Sequence, residues 1–242
     1  MSAVEIPSIP RNVLVVTAHP DDVDFGASGT VAGLVAGGAK VTYCVVTDGD
    51  AGGFDPTVPR SEIPGIRRAE QTAAAAEVGV TDVRFLGYRD GELTVSHDLR
   101  RDITRVIRQV QPDRVITMSP VRNWDRIGAS HPDHMAAAEA TVQAIYPDAR
   151  NQFAHPTLMA DEGLGEWVVP ELWMFGSPTP NTFVDVTEHL PVKLAALRAH
   201  ESQTAHMDDL EGMIRGWMAA AAQRGGLPEG RLAEMFHAVA TA

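Results

Sequence analysis

Short apolar, β-branched runs alternate along the chain with longer stretches whose apolar positions recur at helical spacing. The first run, Asn12 to Thr17 (NVLVVT), has no charged position, as expected of a strand covered on both faces of a parallel sheet. It stops at the turn A-H-P-D-D. Thr30 to Gly37 predicts a helix closed by Gly37 and Gly38, and Lys40 to Thr47 predicts a second buried strand. A strand, helix, strand unit closes by a right-handed crossover, so these strands run parallel with their carboxyl ends on one edge. The alternation goes on with a helix from Ile66 to Val78, a strand from Val83 to Leu86, a helix from Leu99 to Val110 and a strand from Arg114 to Met118. An Ala-rich helix from Met135 to Ile145 follows. Strands are then predicted near Leu172 to Phe175 and Thr182 to Val186, and helices near Pro191 to His200, Asp208 to Gln223 and Gly230 to Val239. This order predicts one α/β domain over residues 1–242 with a mostly parallel sheet. Two proline- and glycine-rich stretches, 48–65 and 147–180, are expected to be functional loops.

Composition narrows the function. A formal net charge of −12 argues against a groove that tracks nucleic-acid phosphates, and leaves Arg67 and Arg68 as a local basic pair. Neutral or cationic small substrates fit better. The single cysteine, Cys44, permits no internal disulfide and no thiolate cage, so any metal must be held by histidine and carboxylate. Its place in the run Val41 to Val46 predicts a buried, inert thiol. The amino-terminal residues show no basic start followed by an apolar stretch, and no apolar run reaches membrane-spanning length. A cytoplasmic location with no membrane span is the expectation, and a homo-oligomer is compatible with it.

The candidate chemistry lies at strand ends. Ligands of a mostly parallel sheet bind beyond the carboxyl ends of its strands, and His19, Pro20, Asp21 and Asp22 occupy the turn after the first strand. Pro20 stops the ladder, so His19 and Asp22 can turn toward one point. Alone, this is equally an Asp-rich turn capping the next helix. A second cluster, S-H-P-D-H, follows the fourth strand: Ser130 is placed to cap a helix, Pro132 tolerates its first turn, and Asp133 completes a pattern resembling a capping box. His131 and His134 are then three apart on one helix face. Two such clusters on one sheet edge predict a metal site of His19, Asp22 and His134 with an open fourth position, the form catalytic zinc takes. Gly26 and Gly29 leave a non-catalytic nucleotide- or metal-binding module as an alternative. The spacing is not G-x-G-x-x-G, and an acidic turn would repel a pyrophosphate.

The segments AHPDDVDFGASGT and SHPDH resemble the two signatures of the PIG-L/LmbE-like de-N-acetylase family. Weaker agreement runs through TDGDAGG, IRRAEQTAAAAEVGV, FLGYRDGEL and KLAALRAHESQ, so the resemblance covers most of the chain. It implies a Rossmann-like three-layer α/β fold and removal of an N-acetyl group from an N-acetylglucosamine-type small molecule or glycoconjugate. One Zn2+ per chain, or Fe2+ in its place, would be held by His19, Asp22 and His134. The resemblance further implies Asp21 as general base, His131 as stabiliser of the tetrahedral intermediate, and Asp133 as the residue that orients or tunes His131. It suggests that Arg67 touches substrate, although a helical ion pair with Glu70 explains the same spacing. Asp90 would bind sugar hydroxyls, or simply make an Asp-Gly turn. Trp124, just before SHPDH, is the tryptophan best placed to stack on a sugar. Asp24 and Asp50 stand where the family commonly has Glu, and His200 is expected to be structural. His97, His155, His189, His206 and His237 show no ligand spacing. A rival within the same chemistry is an amidase for a larger sugar-thiol conjugate, its pocket sized by the 147–180 loops.

Overall fold

The computed structural model describes residues 9–242. In chain order the elements are β1 (Asn12–Thr17), α1 (Asp22–Gly26), α2 (Ser28–Ala36), β2 (Lys40–Thr47), α3 (Ile63–Glu77), β3 (Asp82–Tyr88), α4 (His97–Val110), β4 (Arg114–Met118), α5 (Pro132–Gln143), α6 (Pro156–Ala160), β5 (Glu171–Phe175), β6 (Thr182–Asp185), α7 (Leu190–Ala199), α8 (Glu201–Thr204), α9 (Leu210–Gly225) and β7 (Ala233–Ala240). All seven strands join one sheet in the order β3-β2-β1-β4-β5-β7-β6. The pairs β3-β2, β2-β1, β1-β4 and β4-β5 are parallel, and β7 alone runs against its neighbours.

Burial explains the apolar runs. Val13 to Val16, Val41, Tyr43 to Val46, Val115 and Ile116 are 5% exposed or less, because helices cover both faces of the sheet's centre. Each aliphatic side chain so buried contributes about 1.5–3 kcal/mol against exposure. Cys44 is 0% exposed and its thiol is pushed up to about 12 by burial, as expected of an inert core residue. Among the described residues, no helix is long and apolar enough to cross a membrane.

The chain order reverses around β1: β2 lies on one side and β4 on the other. A crevice therefore opens beyond the carboxyl ends of these two strands, where the loops after them part company.

Two expectations need correction. The stretch after His19 already holds a helix, α1, before the predicted one begins. Gly230 to Val239, expected as a helix, is largely β7. Its Ala-, Glu- and Met-containing sequence suits a helix intrinsically, but β5 and β6 offer it a ladder on each side, and Phe236 is fully buried against Trp173, ring centroids 5.3 Å apart.

Candidate active site

The turn that ends β1 builds the first half of the site. Asp21 caps α1 at φ 88°, a left-handed conformation that Asp tolerates better than most residues. This kink lets Asp22 turn back on His19: Asp22 Oδ2 accepts from the His19 backbone N–H at 2.7 Å and lies 3.4 Å from His19 Nδ1. The other oxygen of Asp22 is 3.1 Å from His134 Nε2, so one carboxylate bridges the two histidines.

The loop after β4 supplies the second half. His131 caps α5, its Nδ1 accepting from the Asp133 N–H at 3.2 Å, with Pro132 at the first helical position. Ser130 is not the cap; its Oγ accepts from Asn123 N–H at 2.7 Å and ties down the preceding loop. The rings of His19, His131 and His134 form a nearly equilateral triangle, with centroids 5.0, 5.1 and 5.2 Å apart. Their ligating nitrogens lie within 4.8 Å of one another.

Carboxylates surround this triangle. His19 Nε2 is 3.0 Å from Asp90 Oδ1 and 3.2 Å from Asp133 Oδ2, and these three residues form a second group able to hold a cation. Burial opposes charge on His19, but hydrogen bonds to Asp133, Asp22 and Asp90 outweigh it and its pKa is pushed up to about 12. Burial alone would raise Asp22; the charge and hydrogen bond of His134, with the hydrogen bond from His19, hold it below the usual carboxylate range. His131 is pushed down by burial and by the two neighbouring imidazoles, and so stays neutral. The carboxylates of Asp22, Asp90 and Asp133 set around the His19 ring make this a pocket that favours positive charge. Its imidazole nitrogens and carboxylate oxygens are the donors a zinc-type cation takes.

Arg67, from α3, reaches under the first turn. Its Nη2 donates to Pro20 O at 2.6 Å and to Asp21 Oδ2 at 2.8 Å. Gly49 and Gly52 make room for it, since a Cβ on either would come within 2.8 Å or less of Arg67 Nη1. Gln71, one turn along, accepts from the Asp21 N–H at 2.8 Å and donates to Asp24 at 2.9 Å; His200 meets the same Asp24 oxygen at 2.8 Å. Burial pushes the Asp21 carboxyl up to about 6, with Arg67 pulling the other way.

The PIG-L family profile, described as GlcNAc-PI de-N-acetylase, matches residues 14–145. The chain belongs to this family. It is 33% identical, over 80% of its length and 70% of the relative's, to diacetylchitobiose deacetylase of Thermococcus kodakarensis. It is 34% identical, over 87% of its length and 92% of the relative's, to a probable N-acetyl-alpha-D-glucosaminyl L-malate deacetylase 2 of Bacillus cereus. Among solved structures, the N,N'-diacetylchitobiose deacetylase of Pyrococcus horikoshii, complexed with its inhibitor, superposes with a TM-score of 0.86 at 30% identity, covering 95% of this chain and 84% of that one.

Set against the PIG-L pattern, the structure gathers His19, Asp21, Asp22, Asp90, His131, Asp133 and His134 at one point and alters three expected pairings. Asp133 does not pair its carboxylate with His131: that carboxylate faces His19 and accepts from the Gly91 and Leu93 amides, while only the Asp133 backbone touches the His131 ring. The Arg67 side chain is 4% exposed and turned to Asp21, and Glu70 binds Ser202 instead of Arg67. Asp90 is 8% exposed and engaged with His19. Trp124 is 79% exposed, with Arg122 against its ring. The two shorter acids both find partners: Asp24 anchors Gln71 and His200, and Asp50 accepts from Asp90 N–H at 2.9 Å and from Arg60. His200 is fully buried on Asp24, the structural place expected of it.

Sequence reasoning did not single out Gln71, although it lies in the quoted segment IRRAEQTAAAAEVGV, and it did not foresee how much of the 147–180 segment packs away from the site. Residues 148–167 pack along α4, where Arg108 caps the carbonyls of Asp148, Asn151 and Ala154, and the Trp167 indole reaches Pro112 O. Of that segment only Phe175 and Gly176 line the cavity beside the site. The 48–65 stretch meets site residues at Gly49, whose carbonyl accepts from Arg67, and at Asp50, which accepts from the Asp90 N–H; its last residues already begin α3.

Proposed function

We propose that this family member is a zinc-dependent deacetylase acting on an N-acetylglucosamine-type small molecule or glycoconjugate. The observation that carries this reading is the imidazole triangle set among the carboxylates of Asp22, Asp90 and Asp133 at the carboxyl ends of β1 and β4. His19, Asp22 and His134 would hold the ion, which when bound supplies Lewis-acid polarisation of the amide carbonyl and of water. Two relatives named as deacetylases of acetylated glucosamine compounds support the substrate class.

The residues divide the work by their surroundings. Asp21 takes the proton of the attacking water: its carboxyl, pushed up to about 6, is ionised at neutral pH yet basic enough to accept a proton. From successive turns of α3, Arg67 holds its carboxylate and Gln71 its backbone N–H. The His131 Nδ1 accepts a backbone hydrogen bond, so its neutral tautomer carries the proton on Nε2, a donor for the oxygen that gains charge as the carbonyl becomes tetrahedral. The departing amine takes its proton from Asp21 or His131. Asp133 and Asp90 orient His19 and supply the negative field that favours a cation.

Metal content and acetate release, measured on one preparation, test the reading. Purified protein should carry about one divalent ion per chain. Acetate release from N-acetylglucosamine derivatives should vanish on chelation, return with zinc, and exceed release from acetyl-lysine peptides. Undiminished activity after exhaustive chelation, or a preference for the peptides, would refute it.

A further inference from the structure

The site has two unlike flanks. On one side a polar cavity of about 400 Å³ is bordered by Asp48, Asp50, Arg60 and Tyr88; Asp50 of its wall accepts from the Asp90 N–H, and Asp90 in turn contacts His19. On the other side Asp22 and His134 open directly into an apolar cavity of about 440 Å³. Phe25, Met118, Phe175, Met213, Ile214 and Trp217 shape its walls, and among the described residues five methionines line it.

A scissile amide placed at His19, Asp22 and His134 has two substituents, and the two flanks sort them. Sugar hydroxyls need hydrogen-bonding partners, and the polar side, with Asp48, Asp50, Arg60 and Tyr88, is the richer in them. The apolar side offers the acyl group few: Lys193 and Glu234 in its wall satisfy each other, and the Arg126 guanidinium lies over the Trp217 ring, 4.2 Å from its centroid. Lys193 Nζ donates to the carbonyls of Asp24 and Phe25 and to Glu234 at 2.7 Å, and Glu234 in turn accepts from the amides of Gly29 and Thr30. The cavity lies within the roughly 300–1,000 Å³ typical of small-molecule pockets, which the two carbons of an acetyl group would leave nearly empty. Its wall is built for close approach: Gly26 lies under the Phe175 ring, where a Cβ would come within 2.5 Å of ring carbon. Unbranched thioether side chains adapt to a flexible chain better than branched ones do.

We propose that the apolar cavity is an acyl-chain subsite, and that this enzyme hydrolyses amino-sugar amides whose acyl group is an unbranched chain of about four to eight carbons in preference to acetyl. The inference rests on the amide-hydrolase reading above.

The test is steady-state kinetics of the metal-loaded enzyme on one glucosamine glycoside carrying N-acetyl, N-butanoyl, N-hexanoyl or N-octanoyl, with the N-acetyl derivative of an octyl glucosaminide as a second arm. Each methylene buried is worth about fourfold, so kcat/KM for hexanoyl should exceed that for acetyl by at least about tenfold. The octyl glycoside should show no comparable gain. Met213, half-buried on α9, can be enlarged without disturbing the core: Met213→Trp should reduce the hexanoyl-to-acetyl ratio about tenfold, and Met213→Ala should keep it above one. Acetyl hydrolysed with equal or better kcat/KM would overturn the subsite while leaving the amide-hydrolase reading intact. A gain confined to the octyl glycoside would move the apolar group to the aglycone and also overturn it. Hydrolysis of none of the amides would bring down both.

Discussion

Asp21 and Asp22 are chemically identical neighbours that the backbone delivers to different partners. The left-handed turn at Asp21 leaves its carboxylate against Arg67, whereas Asp22 folds back to bridge His19 and His134. Their replacements should therefore have different consequences. Asp21→Asn is expected to retain its metal and lose on the order of 10²–10⁴-fold in kcat, the usual cost of removing a positioned base. Asp22→Ala should lose metal on dialysis and regain part of its activity in excess zinc. Metal analysis and kinetics on both variants, with circular dichroism to establish folding, separate the roles; metal loss from Asp21→Asn but not from Asp22→Ala would exchange them. Both acids were legible from the motif because Asp22 stands three positions after His19 and a proline stops the strand. Gln71 was not. It reaches Asp21 from another element, 50 residues away, and its place in the weaker segment IRRAEQTAAAAEVGV does not say which residue it meets.

Among the elements, β7 shows how far tertiary context can override local preference. The strand carries Glu234 inward, where it pairs with Lys193 of α7; both side chains are 3% exposed or less. A buried charge stripped of its partner costs about 3–5 kcal/mol, since the survivor keeps its desolvation penalty. Glu234→Gln should lower unfolding free energy by about that amount at its lower end, seen as a reduced denaturant midpoint with unchanged slope. Lys193→Met added to Glu234→Gln should recover part of the loss. If the single variant is as stable as the parent, the pair does not hold β7 against α7. The same two elements, with α9, border the apolar cavity. Most residues that line this cavity come from the last third of the chain, Phe175 and Gly176 among them.

At the scale of the whole molecule, the proposed metal centre would couple the fold to its ligand, because the loops after β1 and β4 approach only when the sheet is assembled. Binding to the native state alone stabilises it by about 2.7 kcal/mol when free metal is a hundredfold above Kd. For a chain of this length that corresponds to a rise in Tm of roughly 5–10 °C. Scanning calorimetry with and without chelator should show this shift in the parent and not in Asp22→Ala; an equal shift in both would place the stabilising ion elsewhere. The apolar runs determined the parallel strands β1, β2 and β4, for a strand covered on both faces must be apolar throughout. The HPDD and SHPDH clusters determined which histidines and carboxylates meet, since a parallel sheet delivers both strand ends to one edge. Tertiary structure alone decided the rest. It turned Gly230 to Val239 into a strand by offering two open ladders, sent the Asp133 carboxylate to His19 instead of His131, and joined Asp24 to His200 across 176 residues. Such pairings depend on what burial leaves unsatisfied in the assembled core, and local sequence carries no record of that balance.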